Sequence, residues 1–289
     1  MKIIVFGGAG FLGSHLSDEL LRRKHYVTIF DLNTYEDMPS EINFIKGNIE
    51  DYDKVLEASS GFDCAYNFAG ISDLNIAINE PLSSAKVNII GNINILEACR
   101  INKIERYIYA SSVYAHSKSG SFYSCTKTTS ELYIHEYNKT YGLNFTILRY
   151  GSLYGPRSGP ENGLWRIVNE ALKTNQISYI GDKEAVREYI HVYDAAVASC
   201  EILEKKYENE IIVLTGLEKM RVFDMLSVLS EILNFNKKIN FENKKYKGHY
   251  VRTPYSYSSQ IAKKYVPQKH IEFGQGLLSL IQYINEKNN

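Results

Sequence analysis

A chain of 289 residues with 44% hydrophobic residues can bury a large core, as one two-lobed body or as two domains. Lys plus Arg and Asp plus Glu both total 33, so the charge balance points to neither nucleic acid nor an acidic membrane surface as a partner. The apolar runs are far shorter than a membrane span, the first strand-like run begins at Lys2, and Cys64, Cys99, Cys125 and Cys200 form no CxxC pair, so the expectation is a cytoplasmic protein with no signal peptide and reduced thiols.

Met1–Asp31 reads as strand, glycine turn, helix, strand. Lys2–Phe6 is an apolar run that stops at Gly7; Gly7, Gly8, Gly10 and Gly13 open a helical pattern to about Arg23; Tyr26–Phe30 is a second apolar run closed by Asp31. In a parallel βαβ unit such glycines let the backbone approach a pyrophosphate, whose charge sits at the helix N-terminus. Asp31 stands 18 positions after Gly13, where a carboxylate can accept hydrogen bonds from a ribose diol. A tight turn with a surface aspartate would leave so many glycines in so few residues unexplained. The stretch is therefore expected to bind a dinucleotide.

The alternation continues. Strand-like runs lie at Ile42–Lys46, Cys64–Ala69, Arg106–Ala110, Asn144–Tyr150 and Glu210–Thr215, with helical stretches at Asp51–Ser59, Pro81–Arg100, Tyr123–Thr140 and His191–Lys205. This predicts an α/β fold, a doubly wound parallel sheet covered on both faces. Beyond Tyr150 the rhythm becomes irregular. The loop SLYGPRSGPENG leads to a helix near Leu164–Lys173, a strand at Ile177–Ile180, a helix near Val222–Phe235, a strand at Lys238–Phe241 and two C-terminal helical patterns. The expected organisation is a cofactor domain over 1–150, to which about 185–216 return, and a smaller α/β substrate lobe of 151–184 and 217–289 at the carboxyl edge of the sheet, where open α/β sheets bind ligands. The seven histidines show no metal-ligand spacing, and no metal is expected.

Removing hydride from an alcohol requires a base for the hydroxyl proton. A tyrosine serves if a lysine one helical turn on places positive charge nearby. With 23 tyrosines, five YxxxK pairs occur: Tyr114–Lys118, Tyr123–Lys127, Tyr179–Lys183, Tyr265–Lys269 and Tyr283–Lys287. Pro267 and a Gly-Asp turn interrupt two of them, Tyr283 is far from any strand end, and Tyr114 lies in a Ser-rich loop. Tyr123–Lys127 alone opens a long helical pattern directly before a core strand. Ser111 and Ser112 end the preceding strand, where a hydroxyl can bond both a substrate oxygen and the tyrosine; for one serine alone, a turn or cap is the competing reading.

Taken together, these residues resemble the extended short-chain dehydrogenase/reductases, specifically the NAD-dependent epimerase/dehydratase family of nucleotide-sugar enzymes. GGAGFLGSHL resembles the family's cofactor turn and Val87–Arg100 its VNxxGTxNLLEAAR helix. RYIYASSVY resembles its serine strand, YSCTK its YxxxK, Leu148–Arg157 its LRYxNVYGPR and Arg187–Ala198 its RDFIHVDDVAxA. The resemblance implies a Rossmann-type fold, with Tyr123 as base, Lys127 supporting it and holding the nicotinamide ribose, and Ser112 orienting the oxygen, usually at C4 of a sugar. It further implies cofactor contacts at Gly7, Gly10, Phe11, Leu12, Gly13, Asp31, Asn48, Ile49, Ala69 and Lys127. Substrate contacts are implied at Ser111, Ser112, Tyr123, Ser152, Arg187 and Arg252, the two arginines clamping the diphosphate. A homodimer through helices 81–100 and 123–140, and a role in surface-carbohydrate biosynthesis, are implied as well.

The chain also departs from the family. The motif's usual Asn is Ser152, and the Asp at the adenine contact is Asn48. Val113 and Tyr114 stand where dehydratases carry Asp-Glu, and the interval from Ser112 to Tyr123 is about half the expected length. No Arg occurs between Asp31 and Gly47 to meet a 2′-phosphate, which makes NAD the expected cofactor. The leading expectation is a 4-epimerase or a net 4-dehydrogenase or ketoreductase acting on a nucleotide sugar. A 4,6-dehydratase and a non-catalytic NAD-sensing scaffold are the alternatives.

Overall fold

Lys2–Phe6 (β1) forms a strand because its β-branched and aromatic run can be buried on both faces, as central parallel strands require. The structure is a computed structural model that describes residues 1–234, 239–242, 251, 253–254 and 262–288. After β1 come α1 (Phe11–Arg22), β2 (Tyr26–Asp31), β3 (Asn43–Lys46), α2 (Tyr52–Ala58), β4 (Cys64–Asn67), α3 (Leu74–Asn79), α4 (Pro81–Ala85), a π-helix at Lys86–Gly91 and α5 (Asn92–Ile101). The middle of the chain supplies β5 (Arg106–Ser112), α6 (Ser121–Tyr141), β6 (Asn144–Tyr150), β7 (Ser152–Tyr154), α7 (Gly163–Thr174), β8 (Ser178–Ile180), β9 (Val186–Arg187), β10 (Tyr189–His191) and α8 (Val192–Glu201). Last come β11 (Glu210–Leu214), β12 (Met220–Arg221), α9 (Val222–Ile232), β13 (Asn240–Glu242), β14 (Lys263–Lys264) and α10 (Phe273–Asn288).

Eight of these strands form one parallel sheet in the order β14-β11-β6-β5-β4-β1-β2-β3. Helices cover both faces. Leu12, Leu16 and Leu20 of α1 pack with Ala195 and Ala198 of α8 on one side, while Val55 of α2, Ile95 and Leu96 of α5 and Ile134 of α6 fill the other. The expected doubly wound sheet is therefore present, and its order reverses between β1 and β4, so a crevice opens above their carboxyl ends. A separate core of Leu164, Val168, Met225, Leu226, Leu277 and Leu280 builds the smaller lobe from α7, α9 and α10.

Several elements differ from the sequence expectation. The helix expected over Pro81–Arg100 is broken by the π-helix at Lys86–Gly91. There the Ser130 hydroxyl donates to the Asn88 carbonyl, and the Asn88 amide donates to the Ile71 carbonyl and to Thr126 Oγ1. Ser152–Tyr154, expected as loop, pairs parallel with β10; flanking glycines at 151 and 155 hide so short a strand. Lys263–Lys264 pairs with β11 and adds an edge strand to the main sheet, although the sequence grouped 217–289 with the lobe. One C-terminal helix, α10, stands among the described residues where two patterns were expected. Phe235 and Lys238, the expected helix end and strand start, lie outside the described residues, as does Arg252.

The lobe meets the sheet through two buried histidines. His15 of α1 lies 2.9 Å from the Pro156 carbonyl, and His191 lies 3.0 Å from Ser279 Oγ of α10, with Tyr193 packed against both rings. Burial lowers each imidazole from 6.5 to about 4. The folded chain holds both neutral, whereas an unfolded imidazole takes up its proton near 6.5. Their contribution is therefore fully present above pH 6.5 and lost as pH falls from there toward 4. Each histidine accounts for roughly 3 kcal/mol across that window. Thermal unfolding followed between pH 7 and 4 is expected to show Tm dropping chiefly in this window, and His191→Gln is expected to flatten the drop.

Candidate active site

The glycine turn sits at the switch point. Gly7 has φ +75°, and a Cβ there would lie 2.3 Å from the Ala69 nitrogen; one on Gly13 would lie 2.1 Å from the Gly7 carbonyl oxygen. Only glycine allows this turn to fold between β1 and the loop after β4. Gly10 caps α1 without a side-chain bond, and the first turn of α1 holds no acidic residue. The amides of Phe11, Leu12 and Gly13 thus keep the unpaired donors of a helix N-terminus, and these residues line the main cleft. The Asp31 carboxylate is fixed beside the turn by the amides of Ala9 (2.9 Å) and Leu32 (2.7 Å).

This arrangement fits a dinucleotide: backbone exposed by missing Cβ atoms, free helix donors and a carboxylate at the end of β2. It also fits NAD better than a 2′-phosphorylated cofactor, because Asp31 would repel the phosphate. Arg157, which the fold brings over the Tyr35 ring at 4.9 Å, is bonded to Asp18 at 2.6 Å. Asn48 and Ile49, like Asp31 and Ala69, are not among the residues lining the main cleft. The Asn48 Oδ1 accepts from the Glu50 amide, and Ile49 packs its side chain into the core against Gly91 while its carbonyl accepts from Asn94. Only the backbone of Ile49 remains for the contact that the resemblance implies.

The cleft has a volume of about 1250 Å³ and runs from the glycine turn past the end of β5 into the smaller lobe. Ser112, Tyr123 and Lys127 meet in it. Tyr123 and Lys127 share one face of α6, and both are almost fully buried. The Lys127 Nζ donates to the Ala110 carbonyl (2.7 Å) and lies 5.7 Å from the centre of the Tyr123 ring. Burial lowers Lys127 to about 8, a shift that the Glu131 carboxylate opposes. Burial raises the Tyr123 phenol to about 12, and a hydrogen bond with Ser112 acts against that rise. The sequence reading has Lys127 lower the tyrosine; in this fold its ammonium is bonded to Ala110, and burial dominates the phenol.

The two serines part company. Successive strand residues face opposite sides, so Ser112 meets Tyr123 while the Ser111 hydroxyl donates to Glu131 (2.5 Å). Ser111, grouped with the substrate contacts by sequence, lines the cleft with its hydroxyl bonded to Glu131. Ser152 and Arg187 both line the lobe side of the cleft. Of the other YxxxK pairs, Tyr283–Lys287 is also helical, but it lies on α10, where Lys287 pairs with Glu36. Among the described residues no group of His, Cys, Asp or Glu could hold a metal, and no helix is long and apolar enough to cross a membrane.

Sequence reasoning missed the group behind the site. Glu131, one turn beyond Lys127, is buried and accepts from Arg149 (Nε 2.9 Å, Nη2 2.5 Å), Ser111 and His116 (3.1 Å). These partners outweigh burial and hold its carboxyl down at about 2. The signal was available: positions 123, 127 and 131 recur every four residues on one helix face.

A family model described as the NAD dependent epimerase/dehydratase family matches residues 3–215. An uncharacterised UDP-glucose epimerase of Bacillus subtilis is 30% identical over 274 residues, covering 84% of this chain and 86% of its own. Among solved structures, UDP-glucose 4-epimerase of Thermotoga maritima with UDP-glucose superposes with a TM-score of 0.87 at 25% identity, covering 100% of both chains. UDP-glucuronic acid 4-epimerase of Bacillus cereus, in complex with UDP-glucuronic acid and NAD, gives 0.85 at 26% identity, covering 99% of this chain and 100% of its own.

Proposed function

The chain belongs to the NAD-dependent epimerase/dehydratase family, and on that premise we propose that it is a UDP-sugar 4-epimerase that oxidises the C4 hydroxyl and re-reduces the carbon from the other face. The observation that carries this reading is the meeting of Ser112, Tyr123 and Lys127 in the one cleft that also contains the glycine turn. NAD, when bound, supplies the acceptor and donor of hydride.

The protein's part is proton handling and orientation. Ser112 donates to the sugar oxygen and fixes it beside the phenol. Tyr123 Oη takes the hydroxyl proton and later returns it. Lys127 keeps a positive charge one helical turn away, which favours the phenolate in a site where burial opposes it. Gly7, Gly10, Phe11, Leu12 and Gly13 hold the pyrophosphate of the cofactor, Asp31 its adenosine ribose, and Arg187 with Ser152 the substrate. The smaller lobe, built on α7, α9 and α10, carries the sugar nucleotide against the cofactor domain. Dehydration is disfavoured because buried Val113 and half-buried Tyr114 follow Ser112, leaving no acid there to act at C5 and C6.

The reading is tested with purified protein, NAD⁺ and UDP-glucose, UDP-galactose, UDP-N-acetylglucosamine and UDP-glucuronic acid, following NADH absorbance and proton NMR together. Conversion to the 4-epimer without NADH accumulation is expected. NADH appearing with a keto-sugar would instead make it a net dehydrogenase, and no conversion of any sugar by NAD-bound protein would remove the catalytic reading.

The helices spanning 81–100 and 123–140 expose Leu82, Ile90, Leu132 and Tyr133. We place a homodimer interface there, as a four-helix bundle. Sedimentation at micromolar concentration is expected to give a dimer; a monomer would rule the interface out.

A further inference from the structure

Only ten residues, 113–122, join Ser112 to Tyr123. This short connection is fastened to α6 at three points. The Ser124 hydroxyl donates to the Tyr114 carbonyl (2.7 Å), the His116 amide donates to Thr128 Oγ1 (2.8 Å), and His116 Nε2 lies 3.1 Å from Glu131 Oε2. Positions 124, 128 and 131 follow the helical repeat, so the fastenings form a stripe that ends on the same carboxylate as the Tyr123–Lys127 face. His116 adopts φ +60°, a left-handed backbone that costs a non-glycine residue energy and persists only where surrounding bonds impose it.

The carboxylate at the end of the stripe is buried, ionised and bound by Arg149 and by Ser111, the neighbour of Ser112. An ionised carboxylate only accepts, so His116 Nε2 carries the proton and donates. The other end of the connection reaches the reacting groups. The Tyr114 amide donates to Ser112 Oγ (3.2 Å), and its ring meets the Tyr123 ring edge-on, 6.1 Å between centres. His116 itself does not line the cleft.

We propose that His116 is a positioning residue: by docking on Glu131 it locks the short connection so that Tyr114 holds Ser112 and Tyr123 in register. This rests on the assignment of Ser112 and Tyr123 as the reacting pair. With the Ser124 and Thr128 bonds fixing its backbone, a connection this short leaves the His116 side chain as its remaining anchor on α6.

The test compares NAD-bound wild type with His116→Ala and His116→Gln; the Gln amide N–H can replace the lost donor. Hydrogen exchange of amides 113–120 is expected to speed up about tenfold in His116→Ala, while β1 amides keep the wild-type rate. On the UDP-sugar turned over by the wild type, kcat is expected to fall about tenfold with KM within about twofold, and His116→Gln is expected to restore both exchange and kcat. Unchanged exchange in His116→Ala, faster exchange with unchanged kcat, or equal impairment by Ala and Gln would each overturn the proposal. Tyr123→Phe in the same assay separates the two levels. If that variant stays active, or if the wild type turns over no UDP-sugar, the underlying assignment fails, and the exchange data alone judge His116.

Discussion

Replacing Tyr123 by Phe is expected to lower kcat by roughly 10²–10⁴-fold while leaving NAD affinity within about twofold. The variant keeps the ring that packs edge-on against Tyr114 and faces the Lys127 ammonium, so the fold of the site survives. What it loses is one oxygen, the group that Ser112 bonds and the proposed reaction deprotonates. NAD binding, followed by calorimetry, reports on the glycine turn and Asp31, which the substitution does not touch. A variant retaining more than about a tenth of wild-type kcat would move the base elsewhere.

The largest expected effect on stability comes from Glu131→Leu. The side chain fits the space, but the Arg149 guanidinium is left buried without a counter-charge, and Ser111 and His116 lose their acceptor. Breaking a buried pair from one side costs roughly 3–5 kcal/mol. Chemical denaturation is expected to show that loss, and Glu131→Leu combined with Arg149→Leu is expected to regain much of it, because the double variant buries no charge. The acid dependence has a defined sign. The carboxyl is held at about 2 against an ordinary 4.5, so its contribution is present above pH 4.5 and lost as pH falls toward 2. That window overlaps the histidine window of 6.5 to 4 only between 4.5 and 4, so most of each effect is read separately in a pH series. A double variant no more stable than Glu131→Leu alone would contradict the pairing.

The legible parts of this protein are those written in short-range pattern. Gly7 to Asp31 encodes turn, helix and strand within one βαβ unit, and the later apolar runs fall on β3, β4, β5, β6 and β11 to within a few residues. Tyr123–Lys127 was separated from four other pairs by helical context, and the fold sets both residues in the cleft beside the glycine turn. Much of the rest depends on partners distant in sequence. Glu131 meets Arg149 18 positions on and His116 15 positions back, pairings that periodicity does not encode. Ser111 and Ser112 look equivalent in sequence until strand alternation sends one to Glu131 and the other to Tyr123. Ile49 reads as a cofactor contact, yet its side chain completes the core next to Gly91. The strands β7, β9, β12 and β14, two or three residues each, exist only because a partner strand lies beside them, and nothing local announces them.

The central claim is that the Ser112–Tyr123–Lys127 group removes and restores hydrogen at a single carbon, C4. It is tested most directly with the UDP-sugar that reacts, deuterated at C4 and incubated with NAD-bound protein in ordinary water. The account predicts a 4-epimer that keeps its deuterium at C4. Deuterium washed out into water, or found at C6 of a dehydrated product, would contradict it.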